Sequence, residues 1–479
     1  MNKKTNYRWL ICGMLFFATT INYMDRQVLS LTWKDFIRPE FHWEDADYGI
    51  IAAVFSLVYA FSNALSGRFI DRLGIKKGYM LAIGVWSLGA CMHAFCGWAT
   101  TLIEGPDGLT AVHVLSFGSS FSLALSTSVW LFLLCRSILA FGESGNFPAA
   151  VKVAAEYFPK KDRGYATSIF NSGSTVGALI APLCIPTLAR TFKDMGVGNG
   201  WEMAFIIIGA LGFVWMGLWH FVYKPIDSNP HVNDAERNYI KTADHEDISA
   251  VDDGGRKLSV KECLCLRQTW AIVLGKFLTD GVWWFFLFWT PAYISDVYGY
   301  SSDTPMAQLL LFVLYAITIL SLYGGKLPTI FVNKTGRDAY TCRMRAMFIF
   351  ALFPLLGLVA QPLGRISLWL TVIVIGIVGA AHQSWSANLF SVGSDLFPKN
   401  TVATITGFNG MAGGISSFLI NIGTGFFLTH ISRNPEGFCF MGFEGKEAGY
   451  FIIFCFCSVA YIIGWSVMKA LVPHYKPVV

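Results

Sequence analysis

The sequence predicts an all-α polytopic membrane protein of twelve transmembrane helices in two pseudo-symmetric six-helix halves. Three observations carry this. Of 479 residues, 54% are hydrophobic and only 14% charged, against about 25% charged in a soluble domain. Mean hydropathy is +0.50, and apolar runs of roughly 20 residues, enough to cross a ~30 Å hydrocarbon core, recur along the chain. The stretch EYFPKKDRGYATSIFNSGSTVGA at 156–178 returns, allowing one gap, as DLFPKNTVATITGFNGMAGGISS at 395–417.

The helices follow these runs in order, and the charges between them set direction. Helix 1, 9–31, begins after Lys3, Lys4 and Arg8 and is uncharged until Asp25 and Arg26. Glu40, Glu44, Asp45 and Asp47 mark the approach to helix 2, 47–66, and Arg68, Arg72, Lys76 and Lys77 separate it from helix 3, 79–99. The connection 101–127, with Glu104 and Asp107, is long for a hairpin. It is apolar enough to lie on the membrane surface or against helices 3 and 4, and no role is assigned to it. Helix 4, 128–155, is followed by Lys160, Lys161 and Arg163, then by helices 5 and 6 at 164–190 and 201–223.

Residues 224–268 are hydrophilic and poor in large apolar side chains, which predicts a surface linker with at most short helices. It separates an N-terminal half, 1–223, from a C-terminal half, 269–479. The second half reads as helices at 269–298, 305–332, 343–362, 366–392, 401–430 and 448–470, with Lys334, Arg337, Arg343 and Arg345 after its second helix. Every Lys/Arg-rich connection falls on one side, so both termini and the linker are expected in the cytoplasm. No cleavable signal peptide is expected, because no A-x-A-like site follows the first run.

The 11 cysteines form neither a paired framework nor a metal spacing and read as packing residues. P-loop, G-x-G-x-x-G, H-E-x-x-H and G-x-S-x-G patterns are absent, which argues against an ATP-driven pump or a membrane hydrolase. The expectation is a non-enzyme without cofactor or metal, binding no nucleic acid, with membrane lipid around it and a monomeric state.

Ionisable groups within spans cost at least ~3 kcal/mol each and usually face water or a partner. Six stand out: Asp25 and Arg26 in helix 1, Arg136 and Glu143 in helix 4, Lys276 and Asp280 in helix 7. Arg136 and Glu143, two turns apart, share a helix face, and Lys276 and Asp280 are spaced to pair. At ~1.5 Å per residue, Asp25 lies roughly 24 Å from the cytoplasmic start of helix 1, and Arg136 roughly 12 Å from the outer start of helix 4. In a ~30 Å core these heights differ by about 6 Å. Glu143 lies deeper.

The six charges sum to zero. Protonating one acid leaves a net positive site that favours an anion, and a guanidinium can grip a carboxylate through two N–H groups. Structural ion pairing is the competing reading, most evenly balanced for Lys276 and Asp280. Tyr23, Tyr59, Asn171, Trp283, Trp284, His382, Gln383, Ser384, Trp385, Asn388 and Asn409 supply rings and amides suited to a sugar-like ligand. Related six-helix halves place such a site between them, near the bilayer midplane.

The segment GRFIDRLGIKKG (67–78) resembles the loop between helices 2 and 3 of the major facilitator superfamily, with Gly67, Asp71, Arg72 and Gly74 as its gating-loop residues. NKTGRD (333–338) is a worn second copy. NYMDR (22–26), GESGNFPAAVKVAAEYFPKKDRG (142–164), KFLTDGVWWFFLFWTPAY (276–293) and AHQSWSANLFSVGSDLFP (381–398) resemble the anion:cation symporter family, and within it the hexuronate transporters. The likeness covers nearly the whole chain and departs from the family at 101–127. It implies the major facilitator fold, alternating access and uptake of an acidic sugar coupled to H+ across a bacterial inner membrane.

Position by position, the resemblance puts proton coupling on Glu143, assisted by Asp25. It puts substrate contact on Arg26, Arg136, Tyr23, Tyr59, Gln383, Ser384, Trp385 and Asn409. Asn171 joins them as the counterpart of Asn409 in the repeat, and Lys276 with Asp280 stands as a possible helix 7 ion pair. The substrate is expected to be a hexuronate. An aldonate or aldarate, or a sensor that binds sugar acid without moving it, are the alternatives.

Overall fold

Helices form along each long apolar run, and proline decides where several of them break. The structure, a computed structural model, describes residues 5–105, 112–117, 121–245, 258–324, 326–434 and 437–478. Helix α1 spans Tyr7–Thr32 and runs on as a π-helix, Trp33–Ile37; α2 spans Asp45–Leu73. Helices α3, Ile75–His93, and α4, Cys96–Glu104, meet at a 55° bend. A hairpin follows, β1 Val112–Phe117 antiparallel to β2 Phe121–Ser126. Then come α5 Thr127–Glu143, α6 Asn146–Tyr157, α7 Lys160–Asp194, α8 Trp201–Val222 and α9 Asp234–His245.

The second half of the chain supplies α10 Arg267–Tyr298, α11 Pro305–Thr318, α12 Leu327–Thr335, α13 Ala339–Leu352 and α14 Gly357–Gly364. It ends with α15 Leu368–Leu396, α16 Lys399–Arg433 and α17 Gly445–Leu471. A short hairpin, β3 Cys439–Phe440 with β4 Phe443–Glu444, precedes α17.

Each of the twelve expected stretches contains α-helix among the described residues, several of them broken. By length and composition, nine helices among the described residues can cross a membrane, or ten if the bent α3–α4 pair counts as one. The two expected spans that fall short have visible reasons. Asn22, Asp25, Arg26 and Gln27 dilute the apolar character of α1. The 305–332 stretch is divided into α11, a four-residue helical turn at Ser321–Gly324 and α12, each too short to cross alone; Pro328 in the first turn of α12 cannot bond the carbonyl of residue 324. Pro148 acts likewise on Ser144, ending α5 at Glu143.

The internal repeat is visible in the backbone. Helices α7 and α16 each have 35 residues, and each starts directly after a Phe-Pro pair, Phe158-Pro159 and Phe397-Pro398. Proline pushes the residue before it out of the helical region, so both phenylalanines are extended, with ψ of 134° and 148°. The proline then opens the next helix with a pre-set φ, −63° and −62°.

The chain packs as two compact units, Met1–Leu29 with Phe61–Gly254, and Ser30–Ala60 with Gly255–Val479. In the first, small residues let helices approach closely, as in membrane packing generally. A Cβ on Gly142 of α5 would lie 2.4 Å from the Trp86 nitrogen of α3, and one on Gly173 of α7 would lie 2.4 Å from the Phe16 carbonyl of α1. Trp86, Tyr79, Trp215, Trp219 and Phe170 belong to the core beneath.

In the second unit, Trp33 stacks on Tyr48 at 4.3 Å, and Tyr48 donates to the Phe288 carbonyl at 2.8 Å. A Cβ on Gly49 would lie 2.8 Å from the Asn421 carbonyl, so α2 and α16 are in backbone contact.

Two sequence expectations need amending, and one stretch without an assigned structure gains one. The 224–268 stretch is more than a surface linker: Ile226, Val232 and Ile240 are buried in the first unit's core, and Glu236 is fully buried. Its carboxylate accepts from the Tyr7 and Arg8 backbone N–H at 3.0 and 3.3 Å and from Arg8 Nη1 at 3.0 Å, satisfying the open start of α1. The 101–127 connection contains a β-hairpin, whose alternating strand pattern in VHVLSF and FSLALS was there to be read. Cys265 and Cys439 are exposed, so they are not packing residues.

Candidate functional site

The first unit holds a buried charge cluster at the break between α5 and α6. Glu143, the last residue of α5, faces α1. Arg26 donates to its Oε2 from Nε at 2.9 Å and from Nη2 at 2.6 Å. Arg136, two turns before Glu143, donates from Nη2 to the Arg26 carbonyl at 2.7 Å. Asp25 is 0% exposed, and the Trp86 side chain is its polar neighbour from α3. Glu143 Oε1 lacks a hydrogen bond among the described residues. The Tyr23 ring, half-buried, lies 5.0 Å from the Arg26 guanidinium, within cation–π range.

Two acids and two bases thus sit within one apolar setting, in formal balance. An unmatched buried charge is costly, which keeps such a set paired. Sequence reasoning missed His93 of α3, which is fully buried and stacks on Phe205 at 4.7 Å. Its Nδ1 lies 2.7 Å from the Gly89 carbonyl, which can only accept, so Nδ1 carries the hydrogen. Asn146, at the start of α6, accepts from the Tyr79 hydroxyl at 2.7 Å.

The second unit holds its own cluster along α10. Lys276 Nζ lies 2.6 Å from Asp280 Oδ1 and donates to Ser386 Oγ at 2.9 Å. His382 of α15 places Nε2 3.7 Å from Asp280 Oδ1 and Nδ1 2.7 Å from the Tyr461 hydroxyl. It stacks on Trp283 with centroids 5.4 Å apart. Gly413 of α16 leaves room for this carboxylate: a Cβ there would meet Asp280 Oδ2 at 2.2 Å. Trp385 is fully buried and edge-on to Tyr461 at 5.7 Å. Ser384 is buried with its hydroxyl on the Ala380 carbonyl, Gln383 is half-buried, and Tyr59 stacks on Phe55 at 6.1 Å.

The two asparagines matched by the repeat differ. Asn409 is buried with its Oδ1 lacking a hydrogen bond among the described residues, whereas Asn171 is exposed. Among the gating-loop residues, Gly67 lies inside α2, Arg72 is exposed in its last turn, and Gly74 at φ +78° takes the left-handed backbone that starts α3. The side chain of Asp71 lies outside the described residues.

A third group was not legible in advance. Lys34, just beyond α1, lies 2.5 Å from Asp296 Oδ1 and 3.7 Å from Asp45 Oδ1. Lys446 lies 2.6 Å from Asp45 Oδ2 and 3.3 Å from Asp296 Oδ2. This closed square of two acids and two bases ties residues 30–60 to α10 and α17. Burial pulls the Lys34 ammonium below its ordinary pKa, opposed by Asp296 and Asp45.

Repeated helical halves, proline-started α7 and α16, and ionisable side chains buried within helices define a polytopic membrane protein of the facilitator type. The sequence profile of the Major Facilitator Superfamily matches residues 15–420, and the chain belongs to that superfamily. It is 28% identical to the hexuronate transporter of Escherichia coli strain K12 over 445 residues, 91% of each chain. It is 25% identical to that organism's probable galactarate/D-glucarate transporter over 453 residues, 92% of each. The fold matches a bacterial homolog of the human lysosomal transporter Spinster, in an inward-facing and occupied conformation, with a TM-score of 0.64 at 20% identity, covering 98% and 96% of the two chains.

Proposed function

We propose that the chain is a secondary active transporter that carries a hexuronate, such as glucuronate or galacturonate, together with a proton by alternating access. The observation that supports this reading most is the double hydrogen bond from Arg26 to Glu143 inside a buried, charge-balanced cluster. Glu143 occupies the guanidinium edge that a sugar carboxylate would use. A proton on Glu143 removes that competing charge and frees the fork for the substrate. Loss of the proton restores the pair and expels the anion. Proton and sugar acid then travel together, because each acts on the same Arg26. Asp25 and Arg136 complete the charge balance in this scheme, and Asp25 relays the proton.

Tyr23, Tyr59, Gln383, Ser384, Trp385, Asn171 and Asn409 are the groups assigned to the sugar ring and hydroxyls, and Arg72 with its loop to gating. The membrane is a bacterial inner membrane with the Lys/Arg-rich face and both termini inside. The relatives' names support a sugar acid, 28% identity to the hexuronate transporter favouring the hexuronate. A dicarboxylic aldarate is the second reading, given the galactarate/D-glucarate relative. Lys276 is paired with Asp280 at 2.6 Å and is assigned no part of the substrate in this reading, which favours a monocarboxylate.

Uptake of labelled glucuronate, galacturonate and galactarate into proteoliposomes tests this. The proposal expects hexuronate accumulation with an inward proton gradient and its collapse when the gradient is dissipated. Accumulation of galactarate alone, or uptake indifferent to the gradient, contradicts it.

A further inference from the structure

At the Lys/Arg-rich end of the second unit, helices α12, α13 and α17 border a cavity of about 510 Å³. This lies within the ~300–1,000 Å³ typical of small-molecule sites. Phe331, Phe348, Ile349 and Trp465 form its apolar wall, and Lys334 and Arg345 stand beside it. The wall is held in place: Trp465 Nε1 donates to the Met344 carbonyl at 2.9 Å, and its ring lies 4.7 Å from Phe348.

Both cations are exposed, and among the described residues neither forms an ion pair. Asp338, the acid of the intervening turn, accepts from the Thr341 N–H at 2.7 Å and so caps α13. Arg345 is six residues into α13 and Trp465 six from the end of α17, each roughly 9 Å from the same end of the helices at ~1.5 Å per residue. Trp is favoured near helix ends, where headgroup gives way to acyl chain.

We propose that this cavity binds an anionic phospholipid, its phosphate between Lys334 and Arg345 and an acyl chain against Phe331, Phe348, Ile349 and Trp465. Two uncompensated cations select a net anion, and basic pockets between helices on the cytoplasmic side suit anionic headgroups. A free phosphate has the charge but nothing for the aromatic wall, and a zwitterionic lipid fills the wall but brings its own cation. The sugar acid of the proposed transport has no long apolar part.

Native mass spectrometry of the full-length protein in detergent, titrated with phosphatidylglycerol or phosphatidylcholine, tests this. The parent should retain phosphatidylglycerol in preference. Lys334→Ala and Arg345→Ala should each weaken that binding about fivefold, and Lys334→Arg should restore it. Inorganic phosphate at the same concentration should neither bind comparably nor displace the lipid. A second readout is the melting temperature: phosphatidylglycerol should raise it in the parent and not in the double Ala variant, with equal lipid-free values. Equal retention of both lipids, unchanged binding in the double variant, or displacement by phosphate alone overturns the proposal.

Discussion

Arg26 gives two hydrogen bonds to a single oxygen of Glu143, Oε2, at 2.9 and 2.6 Å, and leaves Oε1 without one. The guanidinium is therefore held by one edge, with a carboxylate seated where another carboxylate could sit. A point charge would make a weaker claim on that position.

Arg26→Lys is expected to impair sugar-acid binding nearly as much as Arg26→Ala. The ammonium keeps the charge but loses the planar fork. Isothermal titration of the purified variants with glucuronate distinguishes the cases. Parent-like affinity in the Lys variant would mean that Arg26 acts as charge alone.

Gly142→Ala should destabilise the first unit. The new methyl would stand 2.4 Å from the Trp86 backbone nitrogen and 2.8 Å from the Ala82 carbonyl, neither of which is the end of a flexible side chain. Overpacking of this kind costs about 1–3 kcal/mol. A lowered melting temperature in detergent is the expected result, and an unchanged one would show that α3 and α5 can separate freely.

The square of Lys34, Asp45, Lys446 and Asp296 should behave as one coupled network. Asp45 has a side chain only 1% exposed and two lysine partners, so Asp45→Asn leaves positive charge buried without its acid. Breaking one partner of a buried pair costs about 3–5 kcal/mol, and removing both costs less. A double-mutant cycle of Asp45→Asn with Lys446→Met on thermal stability should give a strong interaction energy. Additive losses would contradict coupling.

Lys276 and Asp280 should show the same non-additivity on transport. Lys276→Met alone leaves Asp280 with His382 as its remaining basic neighbour at 3.7 Å. The double variant Lys276→Met/Asp280→Asn should therefore retain more hexuronate exchange than either single variant. If the double loses the sum of the two, at least one side chain contacts substrate on its own account.

Much of this architecture was legible in the chain because it is written locally. Phe-Pro at 158–159 and 397–398 fixed the starts of two helices through proline geometry, and the repeat revealed the symmetry. Lys276 and Asp280, four residues apart on one helix, could be paired by arithmetic. The Arg26–Glu143 contact could not, since 117 residues separate its partners. Both were visible as charges in apolar runs, but which base meets which acid depends on how α1 packs beside α5. The Lys34–Asp45–Lys446–Asp296 square was invisible for a different reason: each charge lies at a helix end, where single charges are ordinary. The docking of Glu236 under α1 was hidden by the polar composition around it.

The central claim is that Glu143 is the group whose protonation couples sugar acid to the proton gradient. Gln copies the shape and hydrogen bonding of the neutral acid but cannot release a proton. In proteoliposomes carrying Glu143→Gln, hexuronate exchange and gradient-driven uptake should be measured side by side. The account predicts that exchange between internal and external substrate persists, because it needs no net proton movement, while uphill accumulation under an inward proton gradient is lost. Accumulation equal to the parent would contradict the account and move the coupling role to Asp25 or Asp280.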